Sequence, residues 1–208
     1  MPVPTGPARV AVTPDAVWVL SPPDNTVSRI DPATNRRVAT VPVGRQASGM
    51  AVAGGAVWVS LPERGGLGRI DPAGNRLTLV PVRQCCFGEL VGGERALWAA
   101  NAWDGTLIRL DPSSGREVAR IALPRAAAQY PCWVVAGGGA VWVTSATTEV
   151  GTARQLWRVD PETGRVSGSM SLGPAASRRI PDAPALDGTT LWVASGDSGA
   201  VLRLEPRP

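Results

Sequence analysis

One short phrase recurs five times along the chain. Val17-Trp18-Val19, Val57-Trp58-Val59, Leu97-Trp98-Ala99, Val141-Trp142-Val143 and Leu191-Trp192-Val193 each hold a tryptophan between small or branched apolar residues, at Trp-to-Trp spacings of 40, 40, 44 and 50. A second phrase follows each: Arg29-Ile30-Asp31-Pro32, Arg69-Ile70-Asp71-Pro72, Arg109-Leu110-Asp111-Pro112, Arg158-Val159-Asp160-Pro161 and Arg203-Leu204-Glu205-Pro206. A unit that returns every 40 to 45 residues or so cannot bury its apolar faces alone and must stack on its neighbours.

The second unit shows how one repeat folds. Met50-Ala51-Val52-Ala53 is a short apolar strand, and Gly54-Gly55 is a two-residue hairpin loop. Ala56-Val57-Trp58-Val59 has the branched and aromatic character of a second strand. Residues 67–71 read as a third, Pro72-Ala73-Gly74-Asn75 as a turn, and residues 76–82 as a fourth. Four antiparallel strands, here called a to d, make one blade. The expected fold is therefore all-β: a β-propeller of about five four-stranded blades, forming one domain over 1–208. The repeats run over about 7–44, 45–83, 84–124, 125–173 and 174–208. The last ends before its strand d, while residues 1–6 resemble the end of such a strand. Residues 2–5 are thus expected to pair with residues 201–204 and close the ring. The repeated Trp is expected in the gap between blades, and the repeated Asp-Pro at the start of a turn.

Composition removes several chemistries. There is no histidine among the 208 residues, so histidine bases, Ser-His-Asp and Cys-His nucleophiles and histidine metal sites are all excluded. The 21 basic residues are all arginine and are spread along the chain, five of them at one repeated position. Nucleic-acid binding needs a clustered basic patch, so none is expected. No apolar run approaches the ~20 residues of a membrane helix, and no membrane span is expected. The N-terminus shows neither the basic nor the apolar region of a signal peptide. No cofactor or metal is implied.

The run from Asn25 to Gly44, with Thr26-Val27-Ser28-Arg29-Ile30-Asp31-Pro32 and Val41-Pro42-Val43-Gly44, resembles the unit of bacterial YVTN-type β-propellers, a family related to the propeller of streptogramin B lyase. The resemblance implies the propeller fold and favours an extracytoplasmic, binding or scaffold role. The lyase chemistry uses histidines and magnesium, and nothing in this chain can receive it.

Differences between the repeats point to the site. The Trp-to-acid distance is 13 in four repeats and 18 in the fourth, and the acid-to-next-Trp distance is 27, 27, 31 and 32. The insertions fall in b–c and d–a connections, which share one face of a propeller, and that face is the candidate binding surface. Aligning the repeats sets Val10, Met50, Glu89, Trp133 and Pro184 level around the axis, with Arg9, Phe87, Cys132 and Asp182 one or two residues before them. Phe87, Glu89, Trp103, Tyr130, Trp133 and Asp182 are the candidate ligand-binding residues, because building a blade does not require them. An aromatic wall with a few polar groups suits a small molecule, a glycan or a protein. The alternative is that they only plug the channel. Glu89 and Asp182 could also form a glycosidase-type carboxylate pair. A sensor domain of a larger envelope receptor is a third possibility. Cys86 and Cys132 sit in adjacent d–a connections and could form a disulfide if the protein is exported, leaving Cys85 free.

Overall fold

The computed structural model describes residues 3–83, 88–125, 129–174, 183–195 and 199–205. They form five antiparallel sheets in chain order. The first contains β1 (Arg9–Thr13), β2 (Ala16–Ser21), β3 (Thr26–Asp31) and β4 (Arg36–Pro42). The second contains β5 (Met50–Ala53), β6 (Ala56–Leu61), β7 (Gly66–Asp71) and β8 (Arg76–Pro81). The third contains β9 (Leu90–Gly93), β10 (Ala96–Asn101), β11 (Thr106–Leu110) and β12 (Glu117–Ala122). The fourth contains β13 (Gln129–Gly137), β14 (Ala140–Thr147), β15 (Ala153–Val159) and β16 (Val166–Pro174). The fifth has three strands, β17 (Ala183–Asp187), β18 (Thr190–Ser195) and β19 (Ala200–Leu204). The first strands pack in succession, β1 on β5, β5 on β9, β9 on β13 and β13 on β17, so they line the axis. Among the described residues no helix is long and apolar enough to cross a membrane.

The repeated phrases build the joint between blades. Trp18 packs with Val27 and Val41 of its own blade against Val57, Val59 and Ile70 of the next. Trp58 packs in the same way against Leu97, Ala99 and Ile108. Trp18, Trp58 and Trp98 are fully buried. Burying ~150–250 Å² of indole at ~25 cal/mol per Å² contributes about 4–6 kcal/mol gross. Each indole N–H is also satisfied where it points out of the layer. Those of Trp58 and Trp98 donate to the Ala53 and Gly93 carbonyls, and that of Trp18 donates to the Thr13 hydroxyl, all at 3.1 Å.

The arginine of the second phrase has a role that the sequence pattern does not show. Register places it directly beside the Trp on the neighbouring strand: Arg29 opposite Trp18, Arg69 opposite Trp58, Arg109 opposite Trp98. Its guanidinium lies over the indole in all five blades, at 5.6, 6.0, 5.7, 5.9 and 5.7 Å from the ring centroid. Arg29 then donates to the Pro72 carbonyl in the next blade, 3.0 Å away, and Arg109 to the Glu162 carbonyl at 3.5 Å. Those carbonyls belong to the Asp-Pro turns. Asp31, Asp71, Asp111 and Asp160 each accept backbone N–H groups two and three residues on, as expected of a turn starter. Those bonds hold the carboxyls of Asp31, Asp111 and Asp160 below the ordinary range, led at Asp31 by the Thr34 hydroxyl and at Asp111 by those of Ser113 and Ser114.

The expected closing strand is a point of difference. Thr5 donates its N–H to Asp24, Ser21 donates to the Pro4 carbonyl at 3.4 Å, and Ala8 donates to the Leu20 carbonyl at 2.9 Å. Residues 4–8 therefore run along the first blade, because the Asp24 carboxylate captures the chain just before Gly6 turns it with φ +62°. β19 pairs only with β18 among the described residues. The pairing expected between residues 2–5 and 201–204 is not made by Pro4 and Thr5.

Trp58→Ala is expected to cost about 3–5 kcal/mol in a urea melt. Gly115→Ala should also destabilise, by more than about 1 kcal/mol, because Gly115 has φ +72° and a Cβ there would come within 2.6 Å of the Trp58 ring. Trp103→Ala, whose side chain is exposed, should stay within about 0.5 kcal/mol of wild type.

Candidate functional site

All five a–b hairpins have the same length, so each repeated Trp lies opposite the residue seven positions earlier: Ala11, Ala51, Val91, Val135 and Ala185. This corrects the level assignment at the axis. Leu90 and Val134, not Glu89 and Trp133, are equivalent to Val10 and Met50. Glu89 and Trp133 instead share a level with Arg9, Gly49 and Ala183. Arg9, Trp133 and Ala183 lie opposite Leu20, Thr144 and Ala194, while Gly49 and Glu89 accept from the Ser60 and Ala100 N–H groups. One ring position thus reads Arg, Gly, Glu, Trp, Ala around the axis.

Three of these side chains converge. Arg9 Nε donates to Glu89 Oε2 at 2.9 Å, and the Arg9 guanidinium lies 5.0 Å from the Trp133 ring centroid. The second blade, between them, contributes only Gly49 at this level. A Cβ there would come within 2.6 Å of the Gly88 carbonyl oxygen, so glycine is what lets β5 and the third blade approach.

A β-bulge aims Trp133. Pro131 lies opposite Ser145 and Trp133 opposite Thr144, which leaves Cys132 as an extra residue in β13. Such an insertion bends a strand and redirects its side chains. The Cys132 carbonyl also accepts the Glu89 N–H at 3.3 Å, tying the third blade's carboxylate to the fourth blade's bulge. Trp133 Nε1 is buried and has no hydrogen-bond partner among the described residues. It is an available donor in a layer where the Trp18, Trp58 and Trp98 donors are satisfied.

Burial governs the electrostatics. Glu89 keeps only 11% of its side-chain exposure, and this desolvation raises its pKa against the opposing pull of Arg9. Burial, with the Glu89 carboxylate adding to it, pushes the Cys132 thiol up to about 11. Burial also raises the pKa of Tyr130, with a smaller contribution from Cys132.

The structure thus brings Glu89 and Trp133 together, with Tyr130 half-buried on the same strand, opposite Ala146. Trp103 stands apart on the turn between β10 and β11, 73% exposed. Its neighbour Asp104 pairs with Arg120 at 2.7 Å, and Arg125 donates to the Asp104 carbonyl at 3.5 Å and to the Gln129 carbonyl at 2.9 Å. The turn carrying Trp103 is thereby fixed to the connection that leads into β13. Trp157, in β15, is fully buried and donates to the Pro124 carbonyl at 3.0 Å. Phe87, Asp182, Cys85 and Cys86 lie outside the described residues, and so do the Glu89–Asp182 pair and the Cys86–Cys132 bond. Arg9 is the residue that counting along the sequence undervalued. It belongs to the five-membered ring position, and only the strand register reveals that. Among the described residues no three His, Cys, Asp or Glu side chains gather as a metal site.

No protein-family model matches the chain, and no curated protein matches it in sequence. Solved structures do. Hydrazine synthase of Kuenenia stuttgartiensis superposes with a TM-score of 0.74 at 16% identity, over 90% of this chain and 55% of that one. BamB from Moraxella catarrhalis gives 0.69 at 16% identity, over 95% and 60%. Streptogramin B lyase gives 0.61 at 15% identity, over 98% and 84%. The shared architecture is the β-propeller. The chain spans 55% and 60% of the length of the first two, and identities this low establish the fold alone.

Because the native state holds the Glu89 proton more tightly than the unfolded chain, the Glu89 contribution is present below the ordinary glutamate range and is lost as pH rises through the raised native value. Urea midpoints measured between about pH 4 and pH 8 should show this fall in wild type and lack it in Glu89→Gln. Alkylation of the Cys132 peptide, followed by mass spectrometry, should be at least about 100-fold slower in native than in unfolded protein at neutral pH.

Proposed function

We propose that this propeller is a non-catalytic binding or scaffold module that takes its ligand at the axial mouth, on the face of the b–c and d–a connections. The observation that carries this reading is the convergence of Arg9, Glu89 and Trp133 from three different blades at one equivalent position. Blade construction repeats its residues and these are not repeated. The unpartnered Trp133 Nε1 is a donor that a bound acceptor would satisfy. An aromatic face beside a charged pair suits a small molecule, a glycan or a protein side chain. Phe87, Tyr130, Trp103 and Asp182 are proposed as the rest of that surface.

The finer assignments rest on the sequence. Resemblance of the repeat unit to YVTN-type bacterial propellers supports one propeller domain over 1–208, working outside the cytoplasm alone or as the sensor part of a larger receptor. The structural neighbours bear names as different as hydrazine synthase, BamB and streptogramin B lyase, so the fold does not choose among activities. A carboxylate-based enzyme on the same face, lyase-like or glycosidase-like, is the second reading. It draws on the raised Glu89 pKa, which suits a proton donor, although the Arg9 pairing opposes that role.

A ligand screen followed by Trp133→Ala tests the proposal. Affinity for any ligand found should fall at least about tenfold, while the urea midpoint changes less than in Trp58→Ala. Undiminished affinity removes the mouth as the site. Turnover of a substrate that Glu89→Gln abolishes replaces the binding module with the enzyme.

A further inference from the structure

The axial mouth already holds one carboxylate and leaves donors for another. Glu89 Oε2 takes only the Nε–H of Arg9, at 2.9 Å, and the Ala8 carbonyl accepts from Nη1, also at 2.9 Å. Arg9 Nη2 donates to no described residue. The guanidinium lies 5.0 Å from the Trp133 ring centroid, and the Trp133 Nε1 donor is buried without a partner among the described residues. Ser60, fully buried in β6, adds a third donor at this level. Its hydroxyl has no partner among the described residues and lies 3.0 Å from where a Gly49 Cβ would stand, in the sector that Arg9 crosses to reach Glu89. A buried donor left unpaired is costly, so an acceptor brought to it is held correspondingly well. Arg9 keeps 32% of its side-chain exposure against 11% for Glu89, so an incoming group meets Arg9 first.

We infer that the ligand of the axial mouth carries a carboxylate, which accepts from Arg9 Nη2 and Trp133 Nε1 beside Glu89. This rests on the reading of the mouth as the binding site. The two open donors belong to different side chains, and a carboxylate has two oxygens to offer them where an amide carbonyl has one. Its plane and charge also suit a guanidinium whose fork Glu89 has only half used. Charge then decides what Glu89 does. Arg9 supplies one positive charge and Glu89 one negative, so a second carboxylate brings a surplus negative charge into a desolvated place. No other described group facing Glu89 absorbs it. From the fourth blade comes the Cys132 thiol, pushed up to about 11 and neutral, with Tyr130, also neutral, acting on that thiol. From the start of β9 comes the Leu90 N–H. Glu89, whose burial already favours the protonated form, therefore takes up the proton. It is an internal competitor for Arg9 that loses its charge as the ligand arrives.

The test follows the Trp133 indole N–H by NMR in the full chain, with the resonance assigned through Trp133→Phe. Benzoate should shift it saturably and benzamide should not. An acetylated dipeptide with a free C-terminus and its amide repeat the comparison, and the tighter of the two acids tells a small acid from a chain terminus. Arg9→Gln should weaken benzoate at least about tenfold. Glu89→Gln should act in the opposite direction and tighten it at least about threefold at pH 8, which general loss of structure in either variant cannot imitate. In wild type, benzoate affinity should fall between about pH 6 and pH 8, where benzoate itself stays ionised, and Glu89→Gln should remove that fall. The inference is overturned if benzamide shifts the resonance as benzoate does, if inorganic phosphate binds more tightly than benzoate, or if Glu89→Gln leaves benzoate affinity unchanged. A neutral ligand with Trp133-dependent affinity removes the carboxylate and keeps the mouth as the site. Absence of any ligand with Trp133-dependent affinity removes both.

Discussion

The structure depends on one layered contact: an indole, a guanidinium on its face, and the turn of the next blade at the far end of that guanidinium. The indole supplies the apolar area that a blade cannot bury by itself. The arginine converts a non-directional contact into a directional one, because its donors reach the turn carbonyl only when the next blade sits at one height, as Arg29 does with Pro72. A stacked guanidinium contributes about 0.5–2 kcal/mol. Five such stacks therefore matter less for their sum than for setting the stagger of neighbouring sheets. The aspartate of each turn then has a second consequence, since it shapes the loop that presents the carbonyl to the preceding blade.

Uniform joints leave the axis free to vary. Every blade delivers the start of its first strand to the same height, so the side chains there differ from blade to blade; Gly49 alone among them is fixed by the approach of the next blade. Arg9, Glu89 and Trp133 exploit that freedom. The bulge at Cys132 enters the hydrogen-bonded frame of this cluster. It aims Trp133 and fixes the Glu89 backbone at once. The cost is a carboxylate and a thiol held in surroundings that favour their protonated forms.

Much of the fold was legible because it was written repeatedly. The Trp phrase, the Asp-Pro turn and the four-strand unit all reappear as expected. The role of the arginine was not legible, because its stack depends on cross-strand register, and register is not visible in a run of residues. The axial level of Glu89 and Trp133 was misplaced by one position. Aligning the repeats set Glu89 and Trp133, nine residues before their Trp, level with residues eight before theirs, whereas equal hairpins require the same offset in every blade. Once the level is corrected, Arg9 joins them. Trp103 was marked as non-repeated and aromatic, but nothing in the sequence showed that its side chain stands out from the surface. Of the N-terminal residues expected to close the ring, Thr5 is held on the first blade by Asp24, an unremarkable turn residue, while Pro2 lies outside the described residues.

The Arg9–Glu89 pair joins residues 80 positions apart, from the first blade to the third, and Trp133 adds the fourth. Blades of this kind are assembled from local hairpins, each of which can form early and independently of the rest. The Arg9–Glu89–Trp133 cluster cannot. It comes into being only after at least three blades have docked in the right order, so a nascent or frayed chain with well-formed hairpins does not yet possess it. Assembly of the axis is consequently a late event in folding, and the cluster marks the finished arrangement.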